Sequence, residues 1–185
     1  MQQNQIKDNF LPDDLFTQLT DYVGGWETPF RPNVYWYYMN TSVNDGDGCP
    51  QFTNMSYIDG RPLSNVYDAI DRYVFPILRP LAVLRVKLNM TPRAVVQKRT
   101  PLHIDITGQP DESGGYKYIP DYKVCILYLN DGDGYTYFDD GSIVETKANR
   151  AVLFDGDRYH GGAASTNANV RTVLNINYIP SPLSP

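Results

Sequence analysis

Apolar residues recur at helical spacing in two stretches of the chain and alternate, or run together, in seven others. Leu15, Phe16, Leu19, Tyr22 and Val23 form one stripe, opened by Leu11-Pro12-Asp13-Asp14 and closed by Gly24-Gly25, which predicts a first helix. Val66, Tyr67, Ile70, Tyr73, Val74, Ile77 and Leu78 form a second stripe that starts near Ser64 or Asn65. Pro76 breaks or kinks it late, because proline lacks the amide a helix interior needs. Residues 34–39, 81–90, 123–130, 135–138, 142–146, 151–154 and 170–178 read as strands. Asp-Gly turns separate the later ones, at 131–134, 139–141 and 155–157. Helices first and closely spaced strands afterwards predict a mainly β fold of two packed sheets with helices outside. The longest irregular stretches are 40–56 and 107–121, expected to be functional loops. The aromatic run Tyr35-Trp36-Tyr37-Tyr38 is expected to pack into the core of its strand rather than to stack bases.

Composition narrows this picture. At 185 residues and 21.0 kDa, one domain spanning 1–185 is expected. A hydrophobic fraction of 42% excludes a disordered chain. The net charge of −5 argues against broad non-specific nucleic-acid binding, which needs a basic surface. Arg85, Lys87, Arg93, Lys98 and Arg99 leave room for a small basic groove, although they read more simply as solvated charges. Cys125 lies in an apolar run and reads as a buried thiol, while Cys49 sits in a Gly-rich turn. Nothing requires a disulfide, so a reducing, cytoplasmic location is expected. The first eight residues are polar, and no run approaches ~18 apolar residues, so neither a leader nor a membrane span is expected.

The chemistry concentrates in His103-Ile104-Asp105, His160 and Arg171. On an extended strand, residues two apart point the same way, about 6.6 Å apart along the chain, so His103 and Asp105 are expected to face inward together. The chain has two histidines, which makes His160 the remaining imidazole. Two histidines and one carboxylate form the facial set of non-haem Fe(II) oxygenases, with three positions left for a bidentate 2-oxo acid and dioxygen. A His-Asp pair in isolation reads equally as an ordinary structural hydrogen bond, and zinc uses the same ligands, which points instead to a hydrolase or a binding domain. Arg171 shares a strand face with Val173, Asn175 and Asn177, opposite Leu174 and Ile176; a guanidinium turned inward there binds a carboxylate in bidentate fashion. The Asp-Gly-Asp-Gly segments at 45–48 and 131–134 lack the spacing and final glutamate of a calcium loop and read as turns. Asp155 and Asp157 read as turn residues too. No Gly-x-Ser-x-Gly elbow is present.

These residues resemble the Fe(II)- and 2-oxoglutarate-dependent dioxygenases, in the prolyl-4-hydroxylase-like branch. Phe10-Leu11-Pro12 resembles the start of that family's N-terminal helix, and Cys125-Ile126-Leu127-Tyr128-Leu129-Asn130 its "IYYLN" strand. Gly134-Tyr135-Thr136 with Phe138 resembles its "GGxT-x-F" hairpin, with Tyr135 in place of the second glycine. Asn149-Arg150-Ala151-Val152-Leu153-Phe154 leads into Tyr159-His160-Gly161, and the segment 171–178 resembles the closing strand. Phage-encoded members share the pattern "ANR…F…H…R…LNxNY" most closely. The resemblance implies a double-stranded β-helix (jelly-roll) core with two or three flanking helices. It implies Fe(II) on His103, Asp105 and His160, with the distal carboxylate of 2-oxoglutarate on Arg171 and on the hydroxyl of Tyr128. By strand position Tyr128 reads equally as core, and Asn89 is a weaker pocket candidate. Val173 replaces the family's usual small hydroxyl two residues past the anion-binding residue. Ascorbate is implied as a reductant, and the host cytoplasm as the location if the source is a phage. Three function classes follow: hydroxylation of a peptidyl residue such as proline, hydroxylation or demethylation of a nucleobase or small metabolite, and a non-catalytic binding jelly roll.

Overall fold

A computed structural model describes residues 4–24, 34–43, 46–106 and 121–185. In chain order the elements are β1 (Gln5–Lys7), α1 (Asp13–Val23), β2 (Tyr37–Met39), β3 (Gln51–Ile58), β4 (Arg61–Pro62), α2 (Val66–Tyr73), α3 (Phe75–Leu78), β5 (Pro80–Pro92), β6 (Lys123–Tyr128), β7 (Tyr135–Phe138), β8 (Ile143–Glu145), β9 (Ala151–Asp155), β10 (His160–Ala163) and β11 (Val170–Pro180). The large sheet runs β1-β9-β6-β11-β5-β3-β2, with β4 on β3; the small sheet runs β10-β7-β8. Every pairing is antiparallel. The fold is mainly β with a jelly-roll core and helices against the outer face of the large sheet, as expected.

Strand alternation divides the interior into two layers. Cys125 and Leu127 of β6, Leu174, Ile176 and Tyr178 of β11, and Val86 and Leu88 of β5 face the helices and pack on Leu19, Val23, Ile70 and Leu78. The intervening residues Val124, Ile126, Tyr128 and Val173 face the small sheet and pack with Phe138, Val144, Val152 and Phe154. The same alternation sends Arg171 and Asn175 of β11, and Arg85, Lys87, Asn89 and Thr91 of β5, toward the space between the sheets. Helix α1 begins at Asp13 and ends at Val23, where the amide of Gly24 closes on the Thr20 carbonyl at 2.6 Å. Gly25 lies outside the described residues. The second helical stripe divides at Val74, and Pro76 sits in the first turn of α3, where its missing amide costs nothing.

Two expectations fail. The stretch 40–56, expected to be an irregular loop, holds most of β3, whose polar residues break the apolar alternation that predicts a strand. Those polar groups are satisfied inside: Asn54 Oδ1 accepts from Ser56 at 2.8 Å and Ser64 at 3.0 Å, and Asn54 Nδ2 donates to the Tyr35 carbonyl at 3.0 Å. The strand expected at 34–39 shortens to Tyr37–Met39 at a sheet edge, where Tyr35, Tyr37 and Tyr38 are 70%, 66% and 61% exposed. Only Trp36 and Val34 of that run pack on the helix-side core. Residues 107–120 of the other expected loop lie outside the described residues. Asp45 lies outside the described residues; of the other Asp-Gly carboxylates, Asp47 accepts the amides of Val43 and Cys49, each at 2.8 Å, and Asp133 accepts that of Thr166 at 2.7 Å.

Both cysteines are free and buried, and burial pushes the Cys125 thiol up to about 12. No helix among the described residues is long and apolar enough to cross a membrane.

Asn149 ties the N-terminal segment to the sandwich. It adopts a left-handed backbone (φ 59°), and its side-chain amide holds both backbone groups of Leu11, accepting at 2.9 Å and donating at 2.8 Å. Asn149→Ala leaves two buried backbone groups unanswered and places alanine at a positive φ. We expect a loss of about 2–4 kcal/mol in urea denaturation; a loss under about 0.5 kcal/mol would contradict this role for the side chain.

Candidate metal centre

His160 opens β10, the edge strand of the small sheet. His103 reaches it through a single antiparallel bridge: the His103 amide donates to the His160 carbonyl at 2.9 Å, and the reverse bond is 3.0 Å. The two rings lie with centroids 4.7 Å apart. His103 and Asp105 do not sit on a regular strand, as the two-residue alternation supposed. Asp105 lies at a bend, and its carboxylate turns back over β5 and β11. The Nε2 atoms of His103 and His160 each lie 3.8 Å from a different oxygen of that carboxylate. The three donor atoms fall within 4.8 Å of one another.

The far side of each ring fixes its tautomer. Nδ1 of His103 is 3.2 Å from the Pro101 carbonyl, and Nδ1 of His160 is 3.1 Å from the Arg158 carbonyl. A carbonyl only accepts, so Nδ1 carries the proton in both rings and the Nε2 lone pairs face the gap between them. Phe154 stacks edge-on against His160 at 4.8 Å and, with Phe138, walls the ring off from water. Burial, then the neighbouring His160, lowers the pKa of His103 and keeps it in the neutral form a metal ligand requires. Burial works against ionisation of Asp105, but the Arg85 guanidinium and the hydrogen bond from the Asn177 amide outweigh it and hold the carboxyl far below the usual range. Arg85 lies 2.6 Å from one carboxylate oxygen, while the side-chain amides of Asn175 and Asn177 donate to the other at 2.8 and 2.9 Å. Two neutral imidazoles and one oriented carboxylate are the donor set that suits a first-row divalent metal.

A cavity of about 500 Å³ opens from these ligands over the inner face of β5 and β11 and reaches Arg171. Asn175 and Arg171 are four residues apart on β11, about 13 Å of strand. Arg171 is buried. Its Nε donates to Thr146 Oγ1 at 2.9 Å and its Nη2 to Thr136 Oγ1 at 3.0 Å. Among the described residues no carboxylate lies within ion-pair distance of it. Burial lowers its pKa. Tyr128 is wholly buried behind this pair: its hydroxyl donates to Thr136 Oγ1 at 2.8 Å and its ring lies under the guanidinium at 5.4 Å, so Thr136 rather than Tyr128 lines the cavity. Asn89 does line the cavity, and the buried Oδ1 atoms of Asn89 and Asn175 have no hydrogen-bond partner among the described residues. Asp155 pairs with Lys123, away from the ligands.

The sequence reading missed the supporting residues. Arg85 and Lys87, which read more simply as solvated charges but left room for a basic groove, both line the cavity, and Arg85 is the partner of Asp105. The alternation of Arg85, Lys87, Asn89 and Thr91 against Val86 and Leu88 was the available signal. Thr136 stood out only within the hairpin that resembles the family's, and Thr146 carried no signal.

The glycine hairpin has a specific role. A Cβ on Gly134 would stand 2.6 Å from Arg171 Cδ and 2.7 Å from the Ala163 carbonyl oxygen. Gly134→Ala must therefore displace the arginine or the backbone of β10. We expect a stability loss of about 1–3 kcal/mol by thermal or chemical denaturation; a variant as stable as the parent would show that the contact relaxes freely.

No protein-family model matches the sequence, and no curated protein sequence matches it. Solved structures do. A prolyl hydroxylase from Trichoplax adhaerens, solved with a hypoxia inducible factor oxygen degradation domain peptide fragment, matches with TM-score 0.54 at 17% identity, over 96% of this chain and 83% of that one. A prolyl-4-hydroxylase from Pseudomonas putida matches with TM-score 0.53 at 14% identity, over 96% and 92%. The non-haem alpha-ketoglutarate-dependent carbocyclase SnoK of nogalamycin biosynthesis matches with TM-score 0.63 at 12% identity, over 96% and 79%. At these identities the likeness establishes a shared fold, the jelly roll of the Fe(II)/2-oxoglutarate oxygenases. The phage-like pattern rests on sequence alone.

Proposed function

We propose that the chain is a single-domain, non-haem Fe(II) dioxygenase that couples oxidative decarboxylation of 2-oxoglutarate to hydroxylation of a substrate C–H. The observation that carries this reading is a buried guanidinium with no counter-ion among the described residues, in the same cavity as a convergent His-Asp-His donor set. A desolvated cation of that kind calls for an anionic ligand. A zinc hydrolase using the same three ligands has no use for it.

His103, Asp105 and His160 would hold the iron, which when bound supplies activation of dioxygen at positions left open by the three ligands. Arg171 binds the distal carboxylate of 2-oxoglutarate by charge-assisted hydrogen bonds. Thr136 and Thr146 hold the guanidinium fork in place, and Tyr128 fixes Thr136 from behind. Arg85, Asn175 and Asn177 orient the Asp105 carboxylate, and the Pro101 and Arg158 carbonyls orient the two imidazoles. In balance, 2-oxoglutarate, dioxygen and R–H give succinate, carbon dioxide and R–OH. Ascorbate would serve as reductant, and the two free thiols support an intracellular location.

The test is succinate formation followed by NMR. It should appear with Fe(II), 2-oxoglutarate and air, and stop on chelation or when zinc replaces iron. Metal-independent decarboxylation, or none under any condition with folded protein, would contradict the reading. For the substrate, a peptidyl residue such as proline fits the likeness to the two prolyl hydroxylases. The charge of the cavity favours the second class, a nucleobase.

A further inference from the structure

Residues 72–104 hold seven of the chain's 16 basic residues and none of its 21 acidic ones, in a protein of net charge −5. The fold turns part of this block inward: Arg85, Lys87, Arg93 and Lys98 line the cavity, where Asp105 is the one acidic lining residue among those described. Asp105 answers Arg85. Fe(II) and the 2-oxoglutarate dianion cancel one another, so Arg171, Lys87, Arg93 and Lys98 leave the loaded cavity strongly positive. Lys87 stands directly across from Asn175, the residue that holds Asp105, beside the reacting centre. Arg93 and Lys98 are exposed and mark the rim.

Tyr37, at the sheet edge, lies on the same face. Tyr37 stands opposite Thr53, and Thr53 opposite Asn89, which lines the cavity. Residues opposite one another in a sheet share a face, so Tyr37 points to the cavity side at the open edge, about 10 Å from Asn89. Tyr35 is more exposed still, while Val34 and Trp36 pack on the opposite side. A basic track beside exposed aromatic rings is the arrangement that holds a single strand, with phosphates on the cations and bases on the rings.

We propose that the substrate is a single-stranded nucleic acid, with phosphates on Lys87, Arg93 and Lys98, bases stacked at Tyr35 and Tyr37, and one nucleotide admitted to the cavity. The chemistry rests on the oxygenase reading; the binding does not. An acidic peptide would answer the cations but leaves the tyrosines without a role. The negative charge of the rest of the chain repels polyanions elsewhere and confines binding to this face.

The test is fluorescence anisotropy of a fluorescein-labelled dT12 oligonucleotide with the full chain at low salt, beside a labelled twelve-residue glutamate peptide. Binding of the oligonucleotide is expected with Kd on the order of 10⁻⁵ M, weakening with salt at a log–log slope of about −2 for three phosphate contacts. Lys98→Glu should weaken it several-fold and flatten the slope. Tyr37→Ser should weaken it about fivefold, as loss of one stacked base does, with the slope unchanged. Both positions are at the surface, and unchanged melting temperatures confirm intact folds. No oligonucleotide binding overturns the proposal, and so does a glutamate peptide that binds as tightly and ignores Tyr37→Ser. Lys87→Met completes the test: the proposal requires weaker oligonucleotide binding with 2-oxoglutarate binding retained, and the opposite result overturns it by assigning Lys87 to the co-substrate. Oligonucleotide binding by a folded protein that forms no succinate with Fe(II), 2-oxoglutarate and air would overturn the oxygenase reading alone.

Discussion

Asp105→Ala is expected to abolish metal binding and 2-oxoglutarate turnover together, and to destabilise the metal-free protein as well. The substitution removes one of three donors and the charge that compensates Arg85. It also leaves the amides of Asn175 and Asn177 facing empty space. Breaking a buried pair from one side costs about 3–5 kcal/mol; with Arg85 still partly in contact with solvent, about 2–3 kcal/mol is expected here. The effect depends on pH with a definite sign. The folded-state pKa of Asp105 lies below its unfolded value, so its contribution is fully present above the ordinary carboxylate range and is lost only as pH falls through the lower folded value. Urea denaturation at pH 7 should therefore show the full difference between parent and variant, and the difference should shrink only in strong acid. Metal content by elemental analysis supplies the second readout. Unchanged turnover in Asp105→Ala or His103→Ala would refute the ligand assignment.

Arg171 yields effects of opposite sign in two states. Arg171→Ala should raise the Kd for 2-oxoglutarate about 10- to 100-fold, the loss of a charge-assisted pair worth about 1.5–3 kcal/mol. Arg171→Met fills similar space without a charge. Because the wild-type guanidinium is buried against two neutral hydroxyls, Arg171→Met should melt no lower than the parent when ligand is absent. With Mn(II) present, 2-oxoglutarate should raise the melting temperature of the parent by several degrees and leave Arg171→Met unmoved. An equal shift in both proteins would place the co-substrate elsewhere.

Much of this was legible in the chain because one face of β11 is mostly polar and the other mostly apolar. That alternation placed Arg171, Val173, Asn175 and Asn177 together before any fold was known. The same signal existed on β5, but alternation does not say which face another sheet will cover, so Arg85 and Lys87 read as solvent charges. β3 was hidden because Asn54 and Ser56 satisfy one another inside the protein, and a pattern of apolar positions does not record polar pairing. The tyrosine run misled for the complementary reason: an aromatic stretch signals a strand without showing that the strand lies at an edge. His103 and Asp105 come together with His160, but a bend brings the carboxylate back where the alternation of a strand predicts a pleat.

On the proposed function, His103, His160 and Asp105 hold iron together with a chelating 2-oxo acid. Anaerobic titration of the protein with Fe(II) and 2-oxoglutarate tests it most directly. A visible metal-to-ligand charge-transfer band should grow to one equivalent in the parent and be absent from His103→Ala. A folded parent protein that binds Fe(II) yet develops no band on addition of 2-oxoglutarate would contradict the account.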